Sequence, residues 1–167
     1  MDTDADHFAT PRMAAGALFV DDHDRVLLVH KTYSNGWDVP GGYVDIGESP
    51  AAACRRELLE ELGLDREPQR LLAADWAPNE GEGDKVLWLF DCGALGEDEQ
   101  RIKLDGAELD RWEWVPAARL DDYLIPRLAR RLAQAHAAQS RGDTVYLEHG
   151  HLPGLNARTP QLRAKDE

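Results

Sequence analysis

Residues 41–64, GGYVDIGESPAAACRRELLEELGL, combine a Gly-Gly turn, a helix start and a dense group of acidic residues in one short stretch. Ser49 followed by Pro50 predicts the start of a helix, because a serine side chain caps free backbone N–H groups and proline fits the first turn. Gly63 predicts the end of the helix, because glycine readily adopts the left-handed conformation that closes helices. The stretch therefore predicts a glycine turn followed by one helix between Ser49 and Gly63.

The predicted helix has an apolar side and an acidic side when its residues are placed at about 100° per residue. The apolar side consists of Ala51, Cys54, Leu58, Leu59 and Leu62. Glu57, Glu60 and Glu61 lie together on the flank beside it. Carboxylates at this spacing repel one another by a few tenths of a kcal/mol per pair, and near the carboxyl end they also oppose the helix dipole. The cluster is therefore either a plain acidic surface or a site whose repulsion is relieved by a bound cation.

A hard divalent cation is the partner that such a cluster favours. Carboxylate oxygens on one helical face are ligands for Mg²⁺ or Mn²⁺, with waters and substrate phosphates completing the shell. The six histidines are scattered without the spacing of zinc ligands, and the two cysteines give too little spacing information for a metal site. The pattern predicts Mg²⁺ or Mn²⁺ as the cofactor, and it predicts Cys54 and Cys92 as buried, reduced thiols.

The same stretch resembles the signature of the Nudix hydrolases, with every fixed position matched. The matching positions are Gly42, Glu48, Arg56, Glu57, Leu58, Glu60, Glu61, Gly63 and Leu64. A weaker resemblance continues in the flanks, in WDVPGG at 37–42 and WEWVP at 112–116. The resemblance implies an α/β protein, an α/β/α sandwich with a mixed central sheet. It also implies Mg²⁺- or Mn²⁺-dependent hydrolysis of a nucleoside diphosphate linked to another group.

The resemblance also implies roles for individual residues. Glu57, Glu60 and Glu61 would hold the cations, and the Gly42 carbonyl would add a ligand. Arg56 would orient a carboxylate, with Glu48 as its candidate partner or as an extra ligand. The general base stays open among the following carboxylates: Glu60, Glu61, Glu108, and Glu80, Glu82 and Asp84 in the turn at 77–84.

The choice of substrate depends on residues outside the signature. Trp37 and Tyr33 are predicted to stack on a base, and Gly41 is predicted to let the backbone approach the substrate closely. Trp76 and Trp88 could also stack on a base, although core packing is favoured for these strand tryptophans. The favoured substrate is a nucleoside triphosphate or related nucleotide, as in a MutT-like hydrolase. The alternatives are an ADP-ribose or nucleotide-sugar pyrophosphatase and a non-catalytic, nucleotide-sensing Nudix domain. A third interpretation, an acidic scaffold helix without a metal, does not involve the family at all.

The composition restricts the classes of partner. The chain has 167 residues and a formal net charge of -13, so it lacks the basic surface that a nucleic acid polymer requires. An anionic small-molecule nucleotide would have to be met by divalent cations or by a few local basic groups. The first residues show no leader pattern, and the apolar runs are too short for a membrane span. We therefore expect a cytoplasmic protein that has no membrane contact and is a monomer or homodimer.

The remaining segments predict a single domain over 12–150, with flexible tails at 1–11 and 151–167. The segments 13–20 and 26–29 predict a β-hairpin, and 69–76 and 85–92 predict a second strand pair. Further strands are predicted at 37–39, 110–115 and 144–147, and a helix is predicted over 120–138. Arg127, Arg130 and Arg131 crowd this helix, where a solvated face is favoured over a phosphate-binding patch.

Overall fold

The computed structural model describes residues 7–154, which form eight strands and three α-helices. The strands are β1 (Arg12–Leu18), β2 (Arg25–Lys31), β3 (Gly36–Asp38), β4 (Gly41–Tyr43), β5 (Arg70–Trp76), β6 (Lys85–Asp91), β7 (Leu109–Pro116) and β8 (Val145–Glu148). The helices are α1 (Pro50–Leu62), α2 (Leu120–Tyr123) and α3 (Pro126–Arg141). No helix within 7–154 is long and apolar enough to cross a membrane.

The predicted tails fall partly outside the described residues, which exclude 1–6 and 155–167. Within the described part, β1 begins at Arg12, where the domain was predicted to start. At the other end, His151 and Glu148 exchange two backbone hydrogen bonds of 2.9 Å. The ordered backbone pairing therefore reaches at least His151.

The strands form two sheets. The larger sheet has the order β4-β1-β6-β5-β8, with β1 and β6 parallel, β5 and β8 parallel, and the other neighbours antiparallel. The smaller sheet has the order β3-β2-β7 and is antiparallel. The predicted hairpin of β1 with β2 is wrong, since these strands lie in different sheets and only the bridge Val20–Val26 joins their ends. The reason is that β4 and β6 already occupy both edges of β1.

Two hydrophobic cores lie on the opposite faces of these sheets. Alternate residues of β2 point to different cores, because side chains alternate along a strand. Val26 and Leu28 pack in the core that includes α3 residues, whereas Leu27 and Val29 pack in the core that includes α1 residues. The sheets therefore lie between α1 on one side and α3 on the other, which confirms the predicted α/β/α sandwich with a mixed sheet.

Helix α1 begins and ends as predicted. The Ser49 side chain accepts a hydrogen bond from the Ala52 N–H at 3.1 Å, and Gly63 has a φ of 69°. The predicted apolar side is partly wrong, because Ala51 is exposed and Leu59 is 53% exposed. Glu61, predicted on the acidic flank, is buried instead, because this part of α1 faces the turn at Gly41.

The helix predicted over 120–138 is broken in the structure. Helix α2 ends at Tyr123, and Leu124 and Ile125 have extended ψ angles of 148° and 149°. Pro126 explains the break, because proline excludes the helical conformation from the residue before it and fits only the first turn of a new helix. The break places Ile125 and the first turn of α3 beside the larger sheet. Both cysteines are free and buried, as predicted.

Candidate active site

A cavity of about 660 Å³ opens beside the Gly41-Gly42 turn, within the size range of small-molecule sites. One end is lined by α1 and the glycine turn, through Gly41, Gly42, Arg56, Glu57 and Glu61. The other end is lined by the start of α3 and the segment after β8, through Ile125, Arg127, Leu128, Arg131 and His149. Helix α1 thus contributes the carboxylates of Glu57 and Glu61 at what we call the α1 end, and helix α3 contributes Arg127 and Arg131 at what we call the α3 end.

Arg56 holds the carboxylates of the α1 end in place. Its guanidinium donates to both oxygens of Glu48, from Nε to Oε1 at 2.9 Å and from Nη2 to Oε2 at 3.0 Å. Its Nη1 donates to Glu57 Oε1 at 2.8 Å and to Glu60 Oε2 at 3.2 Å. Nη2 also donates to the Tyr43 carbonyl at 2.9 Å, which ties the helix to the end of β4. This geometry confirms the predicted pairing of Arg56 with Glu48.

Glu61 is turned inward against the glycine turn. Glu61 is only 6% exposed, and its Oε2 accepts a hydrogen bond from the Gly41 N–H at 2.8 Å. The pKa of Glu61 is raised to about 8, chiefly by burial and also by the charge of Glu57, while the Gly41 N–H opposes the rise. The raised pKa shows that the described residues around Glu61 do not fully compensate the negative charge of its carboxylate.

Glu57 lies beside Gly42 at the same end of the cavity. Burial is the largest cause of its raised pKa, and the charges of Glu60 and Glu108 add to the rise against the opposing effect of Arg56. A Cβ atom on residue 42 would lie 2.3 Å from Glu57 Oε1, so only glycine leaves room for the carboxylate in this position. The raised pKa values of Glu57 and Glu61 both indicate negative charge that a cation would stabilise.

The donor set fits a hard cation, although the three predicted ligands are not drawn into one cluster. Arg56 holds Glu57 and Glu60, and the Gly41 N–H holds Glu61. In the part of the chain that the structure describes, only Asp21, Asp22 and His23 bring three ligand atoms within 4.8 Å of one another. That turn does not line the cavity. Carboxylates and a backbone carbonyl at the α1 end are nevertheless the ligand types that Mg²⁺ and Mn²⁺ prefer.

The structure brings several other predicted residues to the cavity. Glu108 and Tyr33 both line it, and both are exposed. Glu82 also lines it and accepts a hydrogen bond from the Tyr43 hydroxyl, whereas Glu80 and Asp84 are outside the lining. Trp37 is not brought to the cavity, because its ring packs between His30 and Tyr123 at centroid distances of 5.1 and 5.6 Å.

Sequence reasoning missed several cavity residues because long-range packing brings them together. Lys31 lines the cavity and forms an ion pair of 2.6 Å with Asp38, seven positions away and one strand over. Trp88, by contrast, was a candidate from the sequence for stacking on a base, and it lines the cavity with a buried indole Nε1 that has no hydrogen-bond partner among the described residues. The favoured interpretation of the α3 arginines as a solvated face is wrong for Arg131, which is 6% exposed and bonded to Asp75.

The comparisons with known proteins agree with the geometry. A family model described as NUDIX domain matches residues 10–138. The chain is 34% identical over 132 residues to the RNA pyrophosphohydrolase of Psychrobacter arcticus, covering 67% of this chain and 72% of the relative. It is 42% identical over 67 residues to the putative ADP-ribose pyrophosphatase YjhB of Bacillus subtilis, covering 40% of this chain and 31% of that relative.

The solved structures show the same fold. The crystal structure of a MutT protein from Methanosarcina mazei Go1 superposes with a TM-score of 0.64 at 22% sequence identity. The superposition covers 81% of this chain and 97% of that protein. At this identity the similarity supports the fold alone.

Proposed function

This chain belongs to the Nudix hydrolase family, and we propose that it is a metal-dependent pyrophosphohydrolase of small nucleotides, with a nucleoside triphosphate or related nucleotide as the favoured substrate. The observation that carries the proposal is the placement of Glu57 and Glu61 beside the Gly41-Gly42 turn, both with raised pKa values and both lining one cavity. Perturbed carboxylates in a cleft are typical of catalytic sites.

The residues at the α1 end would hold Mg²⁺ or Mn²⁺ through Glu57, Glu60, Glu61 and the Gly42 carbonyl. A bound divalent cation supplies neutralisation of diphosphate charge and acidification of water. Arg56 keeps the carboxylates of Glu57 and Glu60 in position by charge-assisted hydrogen bonds. The chain therefore provides positioned negative charge, which an anionic substrate can approach only together with cations.

A carboxylate of the same cavity would accept the proton of the attacking water. Glu61 is the first candidate, because Gly41 occupies its Oε2 and leaves Oε1 to accept a proton. Glu108, on the exposed wall of the cavity, is the second candidate. Water attack at phosphorus would then release the two phosphorylated products.

Small nucleotides are favoured over RNA, although a relative is named RNA pyrophosphohydrolase. The net charge of -13 opposes the approach of a long polyanion, whereas a single nucleotide fits a cavity of about 660 Å³. The alternative of an ADP-ribose or nucleotide-sugar pyrophosphatase is supported by the name of the Bacillus subtilis relative. These substrates share the diphosphate and differ only in the group attached to it.

The proposal is tested by a release assay with nucleoside triphosphates, ADP-ribose, nucleotide sugars and a 5′-triphosphorylated RNA oligonucleotide, each with Mg²⁺ and with Mn²⁺. We expect metal-dependent release of phosphate, pyrophosphate or a nucleoside monophosphate from at least one small nucleotide. Binding without turnover across the panel would indicate the nucleotide-sensing alternative. A folded protein that neither binds nor cleaves any of these compounds would contradict the proposal.

Two adjacent glycines provide a matched pair of variants. Gly42→Ala is expected to lower turnover about 10²-fold while the fold is kept, because the new Cβ displaces the movable Glu57 carboxylate 2.3 Å away. Gly41→Ala is expected to destabilise the protein by about 1–3 kcal/mol or more. At position 41 the Cβ would lie 2.2 Å from the Ala15 carbonyl oxygen, and φ is 148°. Thermal denaturation and turnover are measured for both variants, and equal losses of stability would refute the distinction.

A further inference from the structure

We propose that the α3 end of the cavity binds a phosphate that is not part of the scissile diphosphate, and that the preferred substrates are nucleotides carrying such a phosphate. This inference rests on the proposed function, since it assumes that the diphosphate lies at the α1 end. It narrows the substrate class to nucleotides with a phosphate monoester or diester elsewhere on the nucleoside.

A buried ion pair fixes the guanidinium of Arg131 at this end of the cavity. Arg131 Nε donates to Asp75 Oδ2 at 2.5 Å, and the two side chains are 7% and 0% exposed. The second oxygen of Asp75 accepts the Gly150 N–H at 3.1 Å. Within residues 7–154 the two Nη nitrogens of Arg131 have no hydrogen-bond partner, although the residue lines the cavity. The pair therefore presents two positioned donors to whatever enters the cavity.

The backbone beside this ion pair is closely packed. A Cβ atom on Gly150 would lie 3.1 Å from the Arg127 carbonyl oxygen and 3.1 Å from the Arg131 nitrogen. Gly150 has a φ of 79°, which other residues rarely adopt. The turn after β8 is thus pressed onto the first turns of α3, and Arg130 ties it further by donating to the His149 carbonyl at 3.1 Å. This packing keeps Arg127, Arg131 and His149 on the same cavity wall.

Arg127 differs from the other arginines and lysines that line the cavity, because each of those has an acidic partner. Lys31 is paired with Asp38, Arg56 with Glu48 and Glu57, Lys85 with Glu82, and Arg131 with Asp75. Arg127 forms no ion pair with any of the residues that the structure describes. Arg127 is exposed, so its guanidinium is solvated and is available to an anion that enters the cavity.

A phosphate satisfies both groups better than a neutral base does. It neutralises the charge of Arg127 and accepts hydrogen bonds from the free Nη groups of Arg131, as arginine forks commonly do with phosphate oxygens. A neutral base edge would accept from Arg131 but would leave Arg127 unpaired. The cavity would then bind the two kinds of phosphate through different groups, the scissile diphosphate through cations at the α1 end and the further phosphate through arginines at the α3 end.

The test is a calorimetric titration of nucleotides that contain no anhydride, so that binding is read without turnover. With Mg²⁺ present, AMP is compared with adenosine 2′,5′-bisphosphate, adenosine 3′,5′-bisphosphate and a 5′-phosphorylated adenylate dinucleotide. The two bisphosphates test a monoester, and the dinucleotide tests a diester. The proteins are the wild type, Arg127→Gln and Arg141→Gln. Arg141 lies in the last turn of α3, paired with Asp143, and its substitution removes the same charge from the far end of the same helix.

We expect at least one phosphate-bearing ligand to bind the wild type about 10-fold or more tightly than AMP. Arg127→Gln should reduce this preference to less than about 3-fold, whereas Arg141→Gln should retain it, since charges further apart than about 8–10 Å are screened at moderate salt. Equal binding of all four ligands by the wild type would overturn the inference. An unchanged preference in Arg127→Gln, or the same loss in both variants, would overturn it as well. None of these outcomes depends on whether the protein hydrolyses nucleotides.

Discussion

Replacing Glu61 by glutamine is expected to lower metal-dependent turnover by about 10²-fold or more, within the usual 10²–10⁴ range for the loss of a general base. Glutamine keeps the size of the side chain and can still accept the Gly41 hydrogen bond, but it offers neither a charge to a cation nor a site for a proton. The loss should therefore appear in turnover under saturating Mg²⁺ and substrate. Steady-state rates are compared with those of the wild type.

Glu99→Gln provides the control for this loss, because Glu99 is an exposed carboxylate outside the cavity lining. It should retain turnover within about twofold, since surface substitutions away from special features have small effects. Circular dichroism of Glu61→Gln should match that of the wild type. Wild-type turnover in folded Glu61→Gln would exclude Glu61 from the chemistry and would shift the role of base to Glu108.

The same substitution is expected to stabilise the metal-free protein at alkaline pH. The pKa of Glu61 rises from an ordinary value of 4.5 in the unfolded chain to about 8 in the folded protein, so the folded state binds this proton more tightly. Stability from this group is therefore fully present below about pH 4.5 and is lost as the pH rises towards 8. Glutamine stays neutral and does not lose it.

The expected result is a difference in melting temperature that grows with pH. In EDTA, Glu61→Gln should melt close to the wild type at pH 5 and roughly 10–20 °C above it at pH 8.5, given about 1.4 kcal/mol per pKa unit and about 2–4 °C per kcal/mol for a chain of this size. Adding Mg²⁺ at pH 8.5 should raise the melting temperature of the wild type and reduce the difference. A difference that is the same at both pH values would contradict the raised pKa of Glu61.

The sequence allowed the α1 region to be predicted because its signals are local. Ser49, Pro50 and Gly63 act on neighbouring backbone groups, and Arg56 reaches Glu48 within the same stretch. The burial of Glu61 could not be predicted from helical spacing, because it depends on the turn at Gly41, which packs against this part of α1. Spacing identifies the face of a helix, while the neighbouring element decides which residues of that face are buried.

The features that were mispredicted depend on contacts distant in the chain. Two apolar segments at 13–20 and 26–29 with a turn between them are equally consistent with a hairpin and with strands in two sheets. The structure has the second arrangement because β4 and β6 occupy both edges of β1. The burial of Arg131 depends on Asp75, 56 positions away. Pro126 is a local signal for the break in the helix, because proline restricts the residue before it. The helical spacing of the leucines nevertheless led to the prediction of one continuous helix.

Binding of a divalent cation at the α1 end of the cavity underlies the proposed function. Its most direct test is Mn²⁺ binding followed by electron paramagnetic resonance, with the wild type, the double variant Glu57→Gln and Glu61→Gln, and Asp22→Asn in the exposed turn at 21–23. We expect the wild type and Asp22→Asn to bind Mn²⁺ alike and the double variant to lose at least about 10-fold in affinity. Unchanged binding by the folded double variant, with binding lost in Asp22→Asn, would contradict it.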